Sequence, residues 1–310
     1  MSELSQVFQE GMEKKQPVPG GPFLIQMLFQ EAPAAPSREQ MAQVFQQHCG
    51  QVECFCYDDK MAGFATLDHQ VAFQEGKAPA QLMVIHSSPF SGDQLDGFLR
   101  GQMWDCLEDR DRILSECHFQ VVATDLLTAG LPALERAELD MDFLEALAQL
   151  YPDCEAFYFQ SCGKLVPGLA VREHQLQGPD RFIRFGVNAR YFNVQNTQDM
   201  VVDTLGMGIL FLPDLQYHFH GMDPNWVVNH AYNLAAYLLE QGCTIQSGET
   251  VDGVKEGMLS RQVQWRCQYE QALIRPPRQV LDVCMGELAA GLRQQPNRST
   301  DEVSRGNTPV

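Results

Sequence analysis

His218 and His220 are the residues in this chain whose type and spacing come nearest to a reaction. From Asp214 to His220 the polar residues Asp214, Gln216, His218 and His220 alternate with Leu215, Tyr217 and Phe219, the two-residue period of a strand with one apolar and one polar side. Residues two apart on a strand point the same way with backbones about 6.5–7 Å apart, so two imidazoles can reach one divalent ion. Asp223, just past the turn, would be the third ligand, and Asp203 on a neighbouring strand is the other carboxylate that could serve. Asp214 shares the polar side but lies six residues from His220, about 20 Å at strand rise, too far to join that set. Together His218, His220 and Asp223 would suit a metal-dependent hydrolase. The plainer reading puts both histidines on the solvated side of an antiparallel sheet.

Other candidates are less complete. Cys54 and Cys56 form a CxC with Cys49 and His48 nearby, but no second pair stands at metal-site spacing, which favours structural thiols. Ser161 or Cys162 could be a nucleophile beside any of the eight histidines, yet there is neither a GxSxG elbow nor a phosphate-binding GxxxxGK[ST] loop. The glycines of Gly206-Met207-Gly208 lack dinucleotide-binding spacing and read as relief of crowding at a strand bend. Trp104 and Trp226 fall at helical positions and read as core or interface anchors. Glu135, Glu138, Asp140, Asp142 and Glu145 read as a solvated helix face and, secondarily, as a docking face for a basic partner.

These residues need elements to hold them. At 310 residues, 45% hydrophobic, the chain is long enough for two units and needs no metal or disulfide to fold. Its 22 Lys and Arg against 40 Asp and Glu give a net charge of −18, the wrong sign for nucleic acid or an anionic membrane. The first fifteen residues lack the apolar run of a signal peptide, and no later stretch approaches a membrane-spanning length, so the expectation is a cytoplasmic protein with its ten cysteines reduced.

The hydrophobic pattern predicts a flexible leader over 1–22, holding a short helix around Leu4–Met12, and a first α+β unit over 23–175. In it, strands fall at 23–29, 52–57, 63–67, 82–85, 119–124 and 156–159. Helices start at the capping boxes Ser37/Gln40 and Ser91/Gln94, the second carrying Leu95, Phe98, Leu99, Met103 and Trp104, and another runs over 134–150. A boundary at 175–180, with Gly178 and Pro179, leads to a second unit over 181–295. There, strands are predicted at 182–187, 191–194, 214–220 and 261–270, with a helix capped by Asp223 and begun by Pro224, and a closing helix over 280–292. Residues 296–310 have little to bury and read as a disordered tail. The stretches 82–104 and 215–239 each run strand, histidine, proline-containing turn and capped helix, an echo that would fit a duplicated ferredoxin-like unit. The fold class expected is therefore α+β, two mainly antiparallel sheets with helices packed on one face.

The segment DTLGMGILFLPDLQYHF, followed by an Asp-Pro-capped helix with YNLAAYLLEQG, resembles an uncharacterised bacterial domain-of-unknown-function family, the one numbered 4261. The matching positions are Thr204, Gly206, Leu212, Asp214, Asn233 and Tyr237, within roughly Asn188–Val254. The resemblance implies a fold and assigns no catalytic residue or cofactor. With no complete constellation in view, the function expected is a non-catalytic module that binds another protein, with a metal-dependent hydrolase on His218 and His220 as the alternative.

Overall fold

The computed structural model describes residues 21–291. The expected leader helix at Leu4–Met12 and the tail at 296–310 lie outside them. Thirteen strands form two sheets, with seven α-helices and several single 3-10 turns among the described residues. In chain order these are β1 (Leu24–Phe29), α1 (Arg38–Cys49), β2 (Val52–Tyr57), β3 (Met61–Phe73), β4 (Gly76–Pro89), α2 (Gly97–Arg100), α3 (Arg110–Glu116), β5 (Phe119–Leu126), α4 (Ala133–Leu150), β6 (Ala156–Phe159), β7 (Lys164–Pro167) and α5 (Gly168–Arg172). There follow α6 (Pro179–Gly186), β8 (Asn188–Asn193), β9 (Met200–Leu205), β10 (Asp214–Phe219), α7 (Pro224–Gln241), β11 (Thr250–Lys255), β12 (Met258–Gln271) and β13 (Gln279–Cys284).

The first sheet is ordered β2-β3-β4-β5-β1-β6-β7 and the second β11-β12-β13-β10-β9-β8. Every pairing is antiparallel except β10 with β13, so the fold is α+β with two mainly antiparallel sheets. Both sheets contain a strand, a helix and a three-strand meander: β1-α1-β2-β3-β4 and β10-α7-β11-β12-β13. In the second sheet the last meander strand pairs directly with the first strand; in the first sheet β5 lies between them.

Local sequence explains the long helices. Ser37 accepts from the Gln40 N–H while the Gln40 side chain bonds back to the Ser37 N–H, closing the expected capping box at α1. At α7, Asp223 accepts from the Asn225 N–H, Pro224 takes the first turn, and Gly242 ends the helix at φ +72°. Each long helix lays its apolar stripe on a sheet. Phe45 of α1 packs edge-on against Phe64 of β3 at 4.9 Å and Phe143 of α4 at 5.5 Å. Val227, Ala231, Leu234 and Leu238 of α7 bury against the side of β10 that carries Leu215, Tyr217 and Phe219. One cluster of buried residues runs through both sheets and their helices, with Phe182 of α6 tilted on Phe23.

Three expected elements differ. Of residues 182–187, those up to Gly186 belong to helix α6 and Val187 is its extended cap: Gly178-Pro179 starts a helix, and Phe182, Ile183 and Phe185 then share one buried side. The region 91–104 breaks into the 3-10 turn Gly92–Gln94, the four-residue α2 and the turn Trp104–Cys106, because Asp96 caps a new start by accepting from Leu99 and Gly101 follows closely. This removes the echo between 82–104 and 215–239, since only the second stretch carries a long helix. Residues 280–292 hold strand β13, paired on both sides, and then the single turn Gly286–Leu288. Helices also occur on the second face of the first sheet. There Phe90, Met103, Cys106, Ile113, Leu114 and Cys117, from the segment holding α2 and α3, form a small core over Leu28, Ala156, Tyr158 and Leu165. No helix among the described residues is long and apolar enough to cross a membrane.

Candidate interaction surface

Each predicted metal ligand has partners of its own. His218 is on β10 with its Nε2 3.9 Å from Asp199 Oδ2, and His220 stands past the strand end, its N–H donated to the Leu288 carbonyl. The Asp223 carboxylate is engaged as the helix cap, accepting from the Asn225 N–H and side-chain amide. Among the described residues no group of three or more His, Cys, Asp or Glu is arranged to hold a metal ion.

The polar side of β10 is dry at Asp214 and Gln216, whereas His218 and His220, the residues expected on a solvated side, are part-exposed. Asp214, Gln216 and their neighbours across the sheet, Arg190, Asp203 and Asp282, are all buried. Arg190 donates to both oxygens of Asp203 at 2.9 and 2.5 Å, a bidentate pair across β8 and β9. Arg278 reaches over to Asp203 at 2.7 Å and Asp214 at 2.9 Å and donates to the Thr204 carbonyl. Gln216 donates to Asp282 and accepts from the Leu273 N–H, while the Arg275 carbonyl accepts from Arg190, so the β12–β13 connection is tied down over the row. Burial pushes the Asp214 carboxyl above its ordinary value, opposed by the Arg278 guanidinium and the Met207 N–H. Two guanidinium groups here face two carboxylates with their hydrogen bonds used internally. The arrangement joins strands.

Remaining candidates take structural places. The Cys54 thiol donates to the Cys56 carbonyl at the bulged edge strand β2. Cys162 is buried with its thiol pushed up to about 11 by desolvation, and Ser161 has no hydrogen-bond partner that would activate it. Gly206 sits at φ +135°, where a Cβ would run into the Gly186 carbonyl, so the crowding expected there is real. Trp104 and Trp226 are exposed, not core residues. In the acidic run of α4, Asp140 is buried beside Arg136 and Asp125, while Asp142 and Glu145 pair with Arg181 of α6 at 2.7 and 2.8 Å. A solvated face therefore describes only part of that helix.

Glu145 also lines a cleft of about 680 Å³ where α1, α4, α5 and the 173–178 connection meet. His174 accepts the Leu176 N–H at Nδ1, which leaves its Nε2–H to face Glu145 at 3.2 Å. His48 holds Gln149 at 2.8 Å. Both rings are thus oriented by neighbours, and the cleft is a junction between elements.

A different surface stands out by what it leaves uncovered. The pairing Phe64↔Leu82 and Gly63↔Met83 sets Phe64 and Leu82 toward the helices, so Gly63, Ala65, Met83 and Ile85 point the other way. Register carries that face onto β5 at Val122, Thr124 and Leu126, and Phe55 of β2 lays its ring where a Gly63 side chain would be. The small second core covers this side of the sheet only over β1, β6 and β7. Over β2 to β5, Phe55 is 50% exposed, Ile85 41% and Leu126 40%. Glu53, opposite Ala65, is the charged residue on these paired positions, at the outer edge. Gln81 and Thr124 lie between Leu126 and the pair Phe55 and Ile85, so the exposed apolar patch is small, and a patch of this kind marks a contact site more often than a solvated surface. The run Leu82-Met83-Val84-Ile85 held a signal: an unbroken apolar strand belongs where both faces are covered.

No curated protein and no solved structure matches this chain. Residues 203–284 match the family described as a domain of unknown function, DUF4261; Asp203, Asp214, Gln216, Arg278 and Asp282 lie in that stretch, whereas Arg190 and its strand β8 precede it.

Proposed function

We propose that this protein is a non-catalytic interaction module of the cytoplasm, and that it binds another protein on the bare half of the first sheet. The observation that carries the reading is the apolar patch of Phe55, Ile85 and Leu126, side chains 50%, 41% and 40% exposed on the half of the first sheet that the small second core leaves open. Supporting it, the polar groups a sequence reader would enlist for catalysis are engaged in internal pairs. Ten thiols without a disulfide agree with a reducing compartment.

The test is selection from a displayed library of random peptides against the full chain and against a Phe55→Thr/Ile85→Thr double variant. Thr keeps strand propensity while removing apolar area. Peptides enriched by the natural chain and lost on the double variant are expected. Equal enrichment by both, or none by either, ends the proposal.

A further inference from the structure

The cleft beside Glu145 is a second place where this chain can hold a ligand, and it stands apart from the docking patch. From the charged groups in its lining and the partners each of them has, we propose that it takes a small organic anion, whose carboxylate or phosphate group is held by Arg172.

At about 680 Å³ the cleft falls in the range of small-molecule sites, roughly 300–1,000 Å³. Its lining sets Arg172, Arg181, His48 and His174 against the single carboxylate of Glu145, in a chain whose net charge is −18. The flanking acids Glu173 and Asp180 are exposed and form no part of the lining. An anion is repelled by most of this protein and meets a locally positive wall here.

The groups of that wall differ in what they already hold. Arg181 is neutralised, its Nη1 donating to Asp142 and Glu145 at 2.7 and 2.8 Å and its Nε to the Gly178 carbonyl. Glu145 is answered by that guanidinium and by the His174 Nε2–H at 3.2 Å, so it does not oppose an incoming anion as a bare charge. Arg172 has no carboxylate within ion-pair reach among the described residues. Its bond within the protein runs from Nη1 to the Cys154 carbonyl at 3.2 Å and leaves the other N–H groups available.

That bond also seats the guanidinium. A side chain at Gly168 would run into the Cys154 carbonyl and come within 2.9 Å of Arg172 Nη1, so the bare glycine makes the place where the group lies. Fixed at one nitrogen, a guanidinium presents the rest as a fork that matches the oxygens of a carboxylate or phosphate. Ala148, Val171 and Leu176 supply apolar wall for the body of the ligand. A metal ion does not suit the same groups: His174 Nδ1 accepts the Leu176 N–H, so the nitrogen turned to Glu145 carries a proton and offers no lone pair.

The test is calorimetric titration of the full chain with citrate, glucose 6-phosphate and inorganic phosphate, at an ionic strength held constant with sodium chloride. At least one organic probe is expected to bind saturably with a Kd below about 1 mM. Arg172→Gln should weaken it at least about tenfold by removing a charge-assisted bond. Arg266→Gln takes the same charge from an exposed residue of β12 in the second sheet and should leave binding within about twofold. No saturable binding, binding of inorganic phosphate alone, an unchanged Kd in Arg172→Gln, or equal weakening in both variants overturns the proposal. Circular dichroism reads the folding of each variant. Should Arg172→Gln lose the native spectrum, Arg172→Lys decides, since it keeps the charge without the fork: a weakening of about fivefold supports the site, and none overturns it.

Discussion

Away from their helices, the two sheets present opposite surfaces. The second carries Arg190, Asp203, Gln216 and Asp282 in one row and buries them under Arg278 and the β12–β13 connection; the first leaves Phe55, Ile85 and Leu126 of its β2–β5 half partly in water. Directional polar groups need particular partners, and here the chain supplies them, which closes the surface. An apolar face has no such requirement and accepts any complementary stripe. The difference teaches that the charged row is the poorer guide to function in this molecule.

Removing Arg278 should test that contrast most severely. Arg278→Ala leaves Asp203 and Asp214 short of a buried counter-charge, and a loss of about 3–5 kcal/mol is expected in urea unfolding. A stability close to that of the natural chain would mean the row is open to water after all. Gly206→Ala comes next, at about 2–4 kcal/mol, because the residue is at φ +135° and the new Cβ meets backbone, which cannot swing aside. The same turn brings the Met207 N–H to Asp214, so the row should loosen with it, visible as faster hydrogen exchange in β9 and β10.

Asp140 sharpens the comparison, since it is a buried carboxyl whose Arg136 partner stands 3.8 Å away, beyond hydrogen-bond reach. Its carboxyl oxygens have no hydrogen-bond partner among the described residues, and desolvation, with Asp125 adding and Arg136 opposing, pushes its pKa well above 3.8. The folded chain therefore holds a proton that the unfolded chain has released. Stability from this group is present below about pH 4 and is lost as pH rises through the folded value. Asp140→Asn should raise the free energy of urea unfolding at pH 8 by about 1 kcal/mol and flatten the decline that begins above about pH 4. An unchanged pH profile would refute the assignment. The smallest effect belongs to the open face: Phe55→Thr/Ile85→Thr should cost less than about 1 kcal/mol, because both side chains are already half in water. A larger loss would show that something inside the chain already covers them.

Several elements were legible without coordinates. The Ser37/Gln40 capping box, the Asp223-Pro224 start and the Gly242 stop determined two long helices, because each is a local hydrogen-bond or backbone requirement met by adjacent residues. The alternation in β10 correctly set Leu215, Tyr217 and Phe219 toward the core. Residues 182–187 were misread because apolar residues at 182, 183, 185 and 187 suit a short strand as well as one buried turn of helix. Residues 280–292 were misread because a strand buried on both faces has no period to distinguish it.

What the chain settled by itself was which side of a strand is greasy, where helices start and stop, and a net charge of −18. Which of those sides meet water was decided in three dimensions. Asp214 and Gln216 look solvated until Arg278, 64 positions onward, pairs with the first and the Leu273 N–H bonds the second; Ile85 looks buried until it is found 41% exposed. Periodicity records only the polarity of a face, whereas its cover is supplied by residues far along the chain whose arrival depends on the complete sheet order.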